Sequence, residues 1–241
     1  MASGPTKRIV VVQARLESQR RSGKGLALIG SKTLVSRVMD RTLAIEGVDT
    51  FILATTVRDA DDALVEEVSK AYGASIVIVR GSSEDVQSRF IQAMEPFGSC
   101  LVGRVTADDP FQDPALYTQG FDLLATSGAD YVCIGTDPIP LGMDIEVFTS
   151  EALVKSRPLY PTQDNLEHVT LEMTRQPEFV REHLFVPDLM GTARLTVDYE
   201  EDITFATLVA KKIDELGGAF DHATTLEAVE LITHAGSREL T

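Results

Sequence analysis

The stretch Val11–Leu26, VVQARLESQRRSGKGL, places four cationic side chains within ten residues of a chain whose formal net charge is −15, namely Arg15, Arg20, Arg21 and Lys24. It overlaps the end of an apolar run, KRIVVVQA, and also contains the hydroxyl of Ser18 and two glycines. A Walker A loop would have Gly at position 18 and Ser or Thr at position 25, and no G-x-G-x-x-G pattern of dinucleotide-binding loops follows the run. The segment therefore matches neither template. Its cations, hydroxyl and glycines can hold a polyphosphate through side chains and backbone amides, or the segment is a solvated, charged turn.

Carboxylates lie at the ends of two later apolar segments. Asp108 and Asp109 follow the run at 99–105 in TADDP, and Asp198 ends the run at 193–198 in TVDYEED. Neighbouring carboxylates at a strand end repel each other unless a cation or solvent relieves them, and Mg²⁺ binds through one or two carboxylates plus phosphate oxygens. These positions indicate a metal–nucleotide site, with the alternative that the aspartates of TADDP cap the turn at Pro110.

The order of apolar and amphipathic segments indicates how these residues are brought together. Short apolar runs alternate with segments of helical periodicity from residue 7 to residue 135, with Thr33 as the N-cap of the first helix. This alternation predicts a single-domain α/β fold with a mostly parallel, twisted sheet and helices on both faces. Ligands of such sheets bind beyond the carboxyl ends of the strands. Later segments predict a helix at 165–175, a strand at 193–198 and a helix at 200–216.

Charge and composition exclude several classes of function. Residues 1–50 carry nine Lys or Arg and four Asp or Glu, a net of +5, so the remaining 191 residues carry −20. Most of the surface therefore repels phosphate, which argues against a nucleic-acid partner. No apolar window is long enough for a membrane span and the N-terminus lacks a signal-peptide core, so we expect a cytoplasmic protein without membrane contact. Cys100 and Cys133 lie in apolar runs and are expected to be free thiols.

Six motifs then occur in one order along the chain: QARLESQRRSGK, RGSSEDVQSRF, RVTADDPFQDP, GMDIEVF, EHVT and LTVDYEED. Together, over about residues 8–210, they resemble the cytidylyltransferases that activate acidic sugars. The resemblance is to the SpsF-like branch in particular, whose relatives act on 3-deoxy-manno-octulosonate and N-acylneuraminate. It implies a Rossmann-like fold of the nucleotide-diphospho-sugar transferase type. The domain would span 7–216, with an insertion at about 140–190 for acceptor and dimer contacts and a C-terminal helical extension at 217–241.

The resemblance also implies roles for individual residues. The catalytic set would be Arg15, Lys24 and Asp108, with Mg²⁺ held by Asp108 and Asp198. Binding of CTP is assigned to Arg15, Ser18, Arg20, Lys24, Arg80, Gly81, Ser82, Asp85 and Arg89. Binding of the acceptor is assigned to Arg104, Asp144, Glu146 and His168. One departure from the family pattern is Glu17, an acidic residue beside the expected phosphate site.

The reaction implied is transfer of CMP from CTP to a small acidic acceptor, an acidic sugar or a phosphonate, with release of pyrophosphate. The partners would be CTP, the acceptor and a second copy of the chain in a homodimer. Two other classes stay open on the sequence: a glycosyltransferase that uses a nucleotide-sugar donor, and a non-catalytic nucleotide-binding module, which the position of Glu17 favours.

Overall fold

The computed structural model describes residues 6–17, 21–158 and 161–238. Its strands are β1 (Lys7–Gln13), β2 (Leu28–Ile29), β3 (Lys32–Thr33), β4 (Thr50–Thr56), β5 (Ile76–Gly81), β6 (Cys100–Thr106), β7 (Tyr131–Ile134), β8 (Glu146–Thr149) and β9 (Arg181–Leu184). Its α-helices are α1 (Leu34–Leu43), α2 (Asp62–Tyr72), α3 (Val86–Met94), α4 (Pro114–Ser127), α5 (Ser150–Ser156), α6 (Gln163–Glu167), α7 (Leu171–Arg175), α8 (Glu200–Glu215) and α9 (His222–Arg238).

One sheet organises the chain, with the strand order β5-β4-β1-β6-β8-β7-β9. The strands β5, β4, β1 and β6 pair in parallel, and β7 pairs in parallel with β9. Only β8 is reversed in this sheet, because it lies antiparallel between β6 and β7. The predicted α/β fold with a mostly parallel sheet is confirmed. An insertion is expected at about 140–190, and β8, which lies within that range, is a strand of the main sheet.

The strand β1 shows why its sequence is a continuous apolar run. Val10 and Val12 pack into a hydrophobic cluster on one face of the sheet, and Ile9 and Val11 pack into a second cluster on the other face. All four side chains are fully buried. Successive residues of a strand point to opposite faces, so a strand covered on both faces needs apolar residues at every position.

Side-chain caps and a glycine set the ends of the helices that flank this strand. The hydroxyl of Thr33 accepts a hydrogen bond from the backbone N–H of Ser36 and begins α1, as the sequence predicts. The carboxylate of Asp113 accepts a hydrogen bond from the backbone N–H of Ala115 and begins α4, whose first residue is Pro114. The helix α2 ends at Tyr72 and is followed by Gly73, whose φ of 54° is accessible mainly to glycine.

Two sequence-based assignments are wrong. The segment 193–198 forms no strand of the sheet and makes only an isolated bridge between Leu141 and Arg194. Its apolar residues Leu195 and Val197 are nevertheless buried, which explains the strand-like pattern. The helix expected at 165–175 is two short helices, α6 and α7, because the backbone at His168 is extended. Among the described helices, none combines the length and the apolar character that a bilayer crossing requires.

Candidate active site

A cleft of about 350 Å³ lies beyond the carboxyl ends of β1 and β6. These two strands are adjacent and parallel, with Gln13 opposite Thr106, so the residues that follow them meet at one edge of the sheet. The cleft is lined by Gln13, Ala14, Arg15, Lys24, Gly25, Leu64, Val86, Arg89, Ala107, Asp108, Glu167, His168 and Asp198. Six residues predicted to act in catalysis or binding therefore lie around one space: Arg15, Lys24, Arg89, Asp108, His168 and Asp198.

Lys24 bridges the two aspartates predicted to hold a metal. It lies at the start of a short 3-10 turn that follows Gly23, whose φ is 76°. Its Nζ lies 2.9 Å from Oδ2 of Asp108, 2.9 Å from Oδ1 of Asp198 and 3.0 Å from the carbonyl oxygen of Val197. Burial alone would lower the pKa of Lys24, but the two carboxylates outweigh it and raise the pKa. The ammonium group is therefore charged at neutral pH.

Backbone hydrogen bonds bring the two carboxylates together. The N–H of Val197 donates to the carbonyl of Asp108 over 2.8 Å, so the extended segment that carries Asp198 lies against the loop that carries Asp108. The N–H of Asp198 donates to Asp202 at the start of α8. Although the predicted strand at 193–198 is absent, this segment still delivers Asp198 to the edge of the sheet.

Arg15 crosses the cleft from the opposite side. Its Nη1 donates to the carbonyl of Ser83 over 3.1 Å, and its Nη2 lies 3.7 Å from Oε1 of Glu167. Arg89 lies deeper and is only 2% exposed. Its Nε and Nη1 have no hydrogen-bond partner among the described residues, and burial lowers the pKa of Arg89 to about 10. The other two predicted loop contacts, Ser18 and Arg20, lie outside the described residues.

Four residues predicted to contact the nucleotide do not line this cleft: Arg80, Gly81, Ser82 and Asp85. Arg80 binds Asp62 and the carbonyls of Thr56 and Arg58. The hydroxyl of Ser82 accepts from the N–H of Asp85, and Asp85 caps α3 and forms an ion pair with Arg157. A Cβ at Gly81 would lie 2.9 Å from Cγ of Arg89. Gly81 therefore lies against the side chain of Arg89, while the other three are held by partners of their own.

A second cavity of about 520 Å³ contains three of the four residues predicted to bind the acceptor, namely Arg104, Asp144 and Glu146. His168, the fourth, lies in the first cleft instead. Both spaces share Asp198 in their linings. A donor in one space and an acceptor in the other would thus meet at Asp198.

Charges in the second cavity are arranged around Glu146. It pairs with Arg104 and accepts hydrogen bonds from the hydroxyls of Tyr131 and Thr170. Burial would raise the pKa of Glu146, but Arg104 and these hydroxyl groups outweigh burial and lower it. Burial and the charge of Glu146 raise the pKa of Asp144 to about 6.

Comparison with protein-family models matches residues 9–187 to the cytidylyltransferase family. The chain belongs to that family. Its members are nucleotidyltransferases, so this cytidylyltransferase is an enzyme of that class. The match confirms the family predicted from the six motifs.

Individual relatives agree with this assignment. The spore coat polysaccharide biosynthesis protein SpsF of Bacillus subtilis (strain 168) is 30% identical over 215 residues, which cover 86% of this chain and 88% of SpsF. The 3-deoxy-manno-octulosonate cytidylyltransferase of Yersinia pseudotuberculosis serotype O:1b (strain IP 31758) is 30% identical over 148 residues, 60% of this chain and 56% of that enzyme. A cytidylyltransferase structure from Leptospira borgpetersenii serovar Hardjo-bovis (strain JB197) has a TM-score of 0.81 at 23% identity, and the match covers 97% of this chain and 96% of that one.

Glu17 of this cytidylyltransferase lies in a pocket separate from the main cleft. Its carboxylate forms an ion pair with Arg58, which also binds Glu84 at 2.9 Å. Glu17, Arg58 and Glu84 line the same neighbouring pocket. The acidic residue therefore ties the loop after β1 to the loops after β4 and β5. This partner was not recognisable in the sequence, because nothing in the spacing of Glu17 and Arg58 links them.

The two aspartates of the cytidylyltransferase suit a divalent cation by their geometry. One oxygen of each carboxylate already lies 2.9 Å from a single cationic atom, Nζ of Lys24. The described residues contain no cluster of three or more metal-ligating side chains, and Mg²⁺ in nucleotide sites needs only one or two carboxylates because phosphates and water complete its shell. The residues fit that ion if Lys24 turns towards the phosphates.

Proposed function

We propose that this cytidylyltransferase transfers CMP from CTP to a small acidic acceptor, an acidic sugar or a phosphonate, and releases pyrophosphate. The observation that carries the proposal is the cluster of Lys24, Asp108 and Asp198 at the junction of two spaces. One space is lined by cations suited to a triphosphate, and the other adjoins it through Asp198. The names of SpsF and of the 3-deoxy-manno-octulosonate enzyme support an acceptor from polysaccharide or acidic-sugar metabolism.

In the proposed reaction an acceptor oxygen attacks the α-phosphorus of CTP in line. A bond forms between that oxygen and phosphorus, the bond from the α-phosphorus to the bridging oxygen breaks, and its electron pair leaves with pyrophosphate. Where the acceptor oxygen is a hydroxyl, its proton goes to solvent; a carboxylate or phosphonate oxygen has none to lose. Lys24 and Arg15 neutralise the leaving group, because both cations line the cleft. Positioning and charge neutralisation account for most of the catalysis in such transfers.

Asp108 and Asp198 would hold Mg²⁺, which when bound supplies charge neutralisation at the α-phosphate and lowers the pKa of an attacking hydroxyl. The positive charge of Lys24 is then available to the β- and γ-phosphates. Arg89, with two buried nitrogen atoms lacking partners, is placed to donate hydrogen bonds to the nucleoside. A homodimer and a cytoplasmic location are part of this proposal and follow from the family resemblance and the sequence.

The experiment that tests the proposal is pyrophosphate release on mixing the protein with CTP, Mg²⁺ and a panel of acidic sugars and phosphonates. We expect release with at least one acceptor, dependent on CTP, with UTP and ATP as matched controls. A nucleotide-sugar consumed in place of CTP would support the glycosyltransferase alternative. Tight binding of CTP with no release for any acceptor in the panel would contradict the proposed acceptor class.

A further inference from the structure

Arg194, which no sequence motif assigns to the site, lines the second cavity and contacts Asp198, the residue that lines both cavities. Its Nη2 donates to Oδ2 of Asp198 over 3.0 Å, and its Nε and Nη2 donate to the two oxygens of Asp202 over 2.9 and 3.2 Å. The guanidinium group lies 5.6 Å from the ring centre of Tyr199. Arg194 therefore contacts both ends of the short turn that carries Asp198.

Asp202, the other partner of Arg194, is itself fixed by the backbone. Its Oδ2 accepts hydrogen bonds from the N–H groups of Asp198 and Tyr199 over 2.8 and 2.9 Å. Two backbone donors thus hold the carboxylate of Asp202 in place, and it accepts hydrogen bonds from the guanidinium group of Arg194.

The two oxygens of Asp198 consequently face different partners. Oδ1 lies against Lys24 at the nucleotide cleft, and Oδ2 lies against Arg194 at the second cavity. A carboxylate with one oxygen hydrogen-bonded to an arginine cannot rotate freely about its terminal bond. The bond from Arg194 to Oδ2 therefore restricts the direction in which Oδ1 points.

The exposure of Arg194 separates this role from a purely structural one. The side chain of Arg194 is 40% exposed, whereas those of Asp198 and Asp202 are 11% exposed. Ion pairs with a solvent-exposed member contribute little to stability. Loss of Arg194 would thus disturb the orientation of Asp198 far more than the folding of the chain.

We propose that Arg194 is a positioning residue for the transfer reaction. Through its hydrogen bonds to Asp202 and Asp198, it orients Oδ1 of Asp198 towards the metal and the nucleotide. The inference rests on the proposed function. Residues that orient metal ligands in this way typically change metal affinity or activity by roughly 10- to 100-fold when replaced.

The test compares Arg194→Gln with wild type in two measurements. The first is Mn²⁺ affinity in the presence of CTP and without acceptor, followed by electron paramagnetic resonance, which we expect to fall by roughly 10- to 100-fold. The second is steady-state kinetics, in which kcat falls while KM for the acceptor stays within about twofold. Arg8→Gln is the matched control, because Arg8 lies at the start of β1, at the end away from the cleft, and forms an ion pair with Asp122.

Several results would overturn the proposal. Unchanged Mn²⁺ affinity and kcat would show that Arg194 has no positioning role, and a raised KM for the acceptor with unchanged kcat would make it a direct binding residue. Arg194→Lys keeps the charge but not the two-pronged donor set. We expect an intermediate loss for this variant, and it carries the test if the Gln variant does not fold. Because the Mn²⁺ measurement needs no acceptor, it reports on Arg194 even if no pyrophosphate is released.

Discussion

The Nζ atom of Lys24 lies 2.9 Å from Oδ1 of Asp198, a residue 174 positions further along the chain. Asp108 completes the same contact from a third part of the sequence. The lysine is thus the counter-ion of the two carboxylates. In the proposed reaction, a divalent ion and the phosphates would compete with this arrangement.

Replacement of Lys24 by Met tests this competition. Without the ammonium group the two carboxylates repel each other, so we expect Lys24→Met to bind Mn²⁺ in the absence of nucleotide more tightly than wild type, by roughly tenfold for about 1.4 kcal/mol of relieved repulsion. Turnover should fall, because the leaving pyrophosphate loses a cation. Electron paramagnetic resonance measures the first effect and pyrophosphate release the second.

A matched lysine provides the control for that variant. Lys32→Met removes a cation that pairs with Asp40 and is 52% exposed. Its Mn²⁺ affinity and turnover should equal those of wild type. Equal Mn²⁺ affinities for Lys24→Met and wild type would contradict the role of Lys24 as counter-ion.

Asp108→Asn removes one of the two carboxylates while leaving its size almost unchanged. We expect kcat to fall by about 100-fold or more, since charge stabilisation in a preorganised site contributes on that scale. The melting temperature should change little, because Asp108 is partly exposed at a loop. Asp122→Asn, a substitution in an exposed ion pair with Arg8, is the control. Retention of full turnover would remove Asp108 from the catalytic set.

Glu17 and Arg58 should act together on the binding of CTP. Each side chain is about half-exposed, so either single substitution, Glu17→Gln or Arg58→Gln, should change the free energy of unfolding by about 1 kcal/mol or less. We expect KM for CTP to rise a few-fold, because the loop after β1 loses the ion pair that connects it to the loop after β4. In a double-mutant cycle the effects should not add. Fully additive effects would mean that the ion pair does not position the loop.

The stability of the protein should depend on pH through Asp144. Its folded-state pKa is raised to about 6, against an unfolded value of about 3.9. Above the folded pKa the native state carries a carboxylate that it disfavours, so stability from this group declines as the pH rises from about 4 to about 6. Asp144→Asn should raise the melting temperature at pH 8 and have no effect near pH 3.

The substitution is conservative, because Oδ1 of Asp144 accepts backbone hydrogen bonds from Ile134 and Ile145 and an Asn oxygen can accept them too. Thermal melts of both proteins from pH 3 to pH 8 measure the difference. A difference that is constant with pH would show that the carboxylate is not the cause.

The strands and the parallel core were readable in the sequence because burial on both faces requires continuous apolar runs such as that of β1. The positions of Asp108 and Lys24 at one edge follow from the rule that ligands of an open parallel sheet bind beyond the carboxyl ends of its strands. The segment at 193–198 was misread because Leu195 and Val197 are buried against neighbouring loops without sheet pairing. A buried alternating pattern reports burial and not hydrogen-bond partners.

Long-range ion pairs account for the remaining differences. Arg80, which was expected to bind the nucleotide, pairs with Asp62, and Glu17, which lies beside the expected phosphate site, pairs with Arg58. Both partners lie outside the lining of the main cleft. Arg194 was overlooked although it stands four residues before Asp198. The sequence around a charged residue does not predict its ion-pair partner, because loops that follow different strands bring the two side chains together.

The sharing of Asp198 by both cavities limits where this enzyme can diversify. In the proposed reaction, a substitution at Asp198 would alter the handling of donor and acceptor at once. Substitutions at Asp144 and Glu146, which line the second cavity but not the first, would alter the handling of the acceptor alone. On the proposed function, an enzyme of this plan could therefore keep its nucleotide cleft and acquire a new acceptor by changing residues of the second cavity.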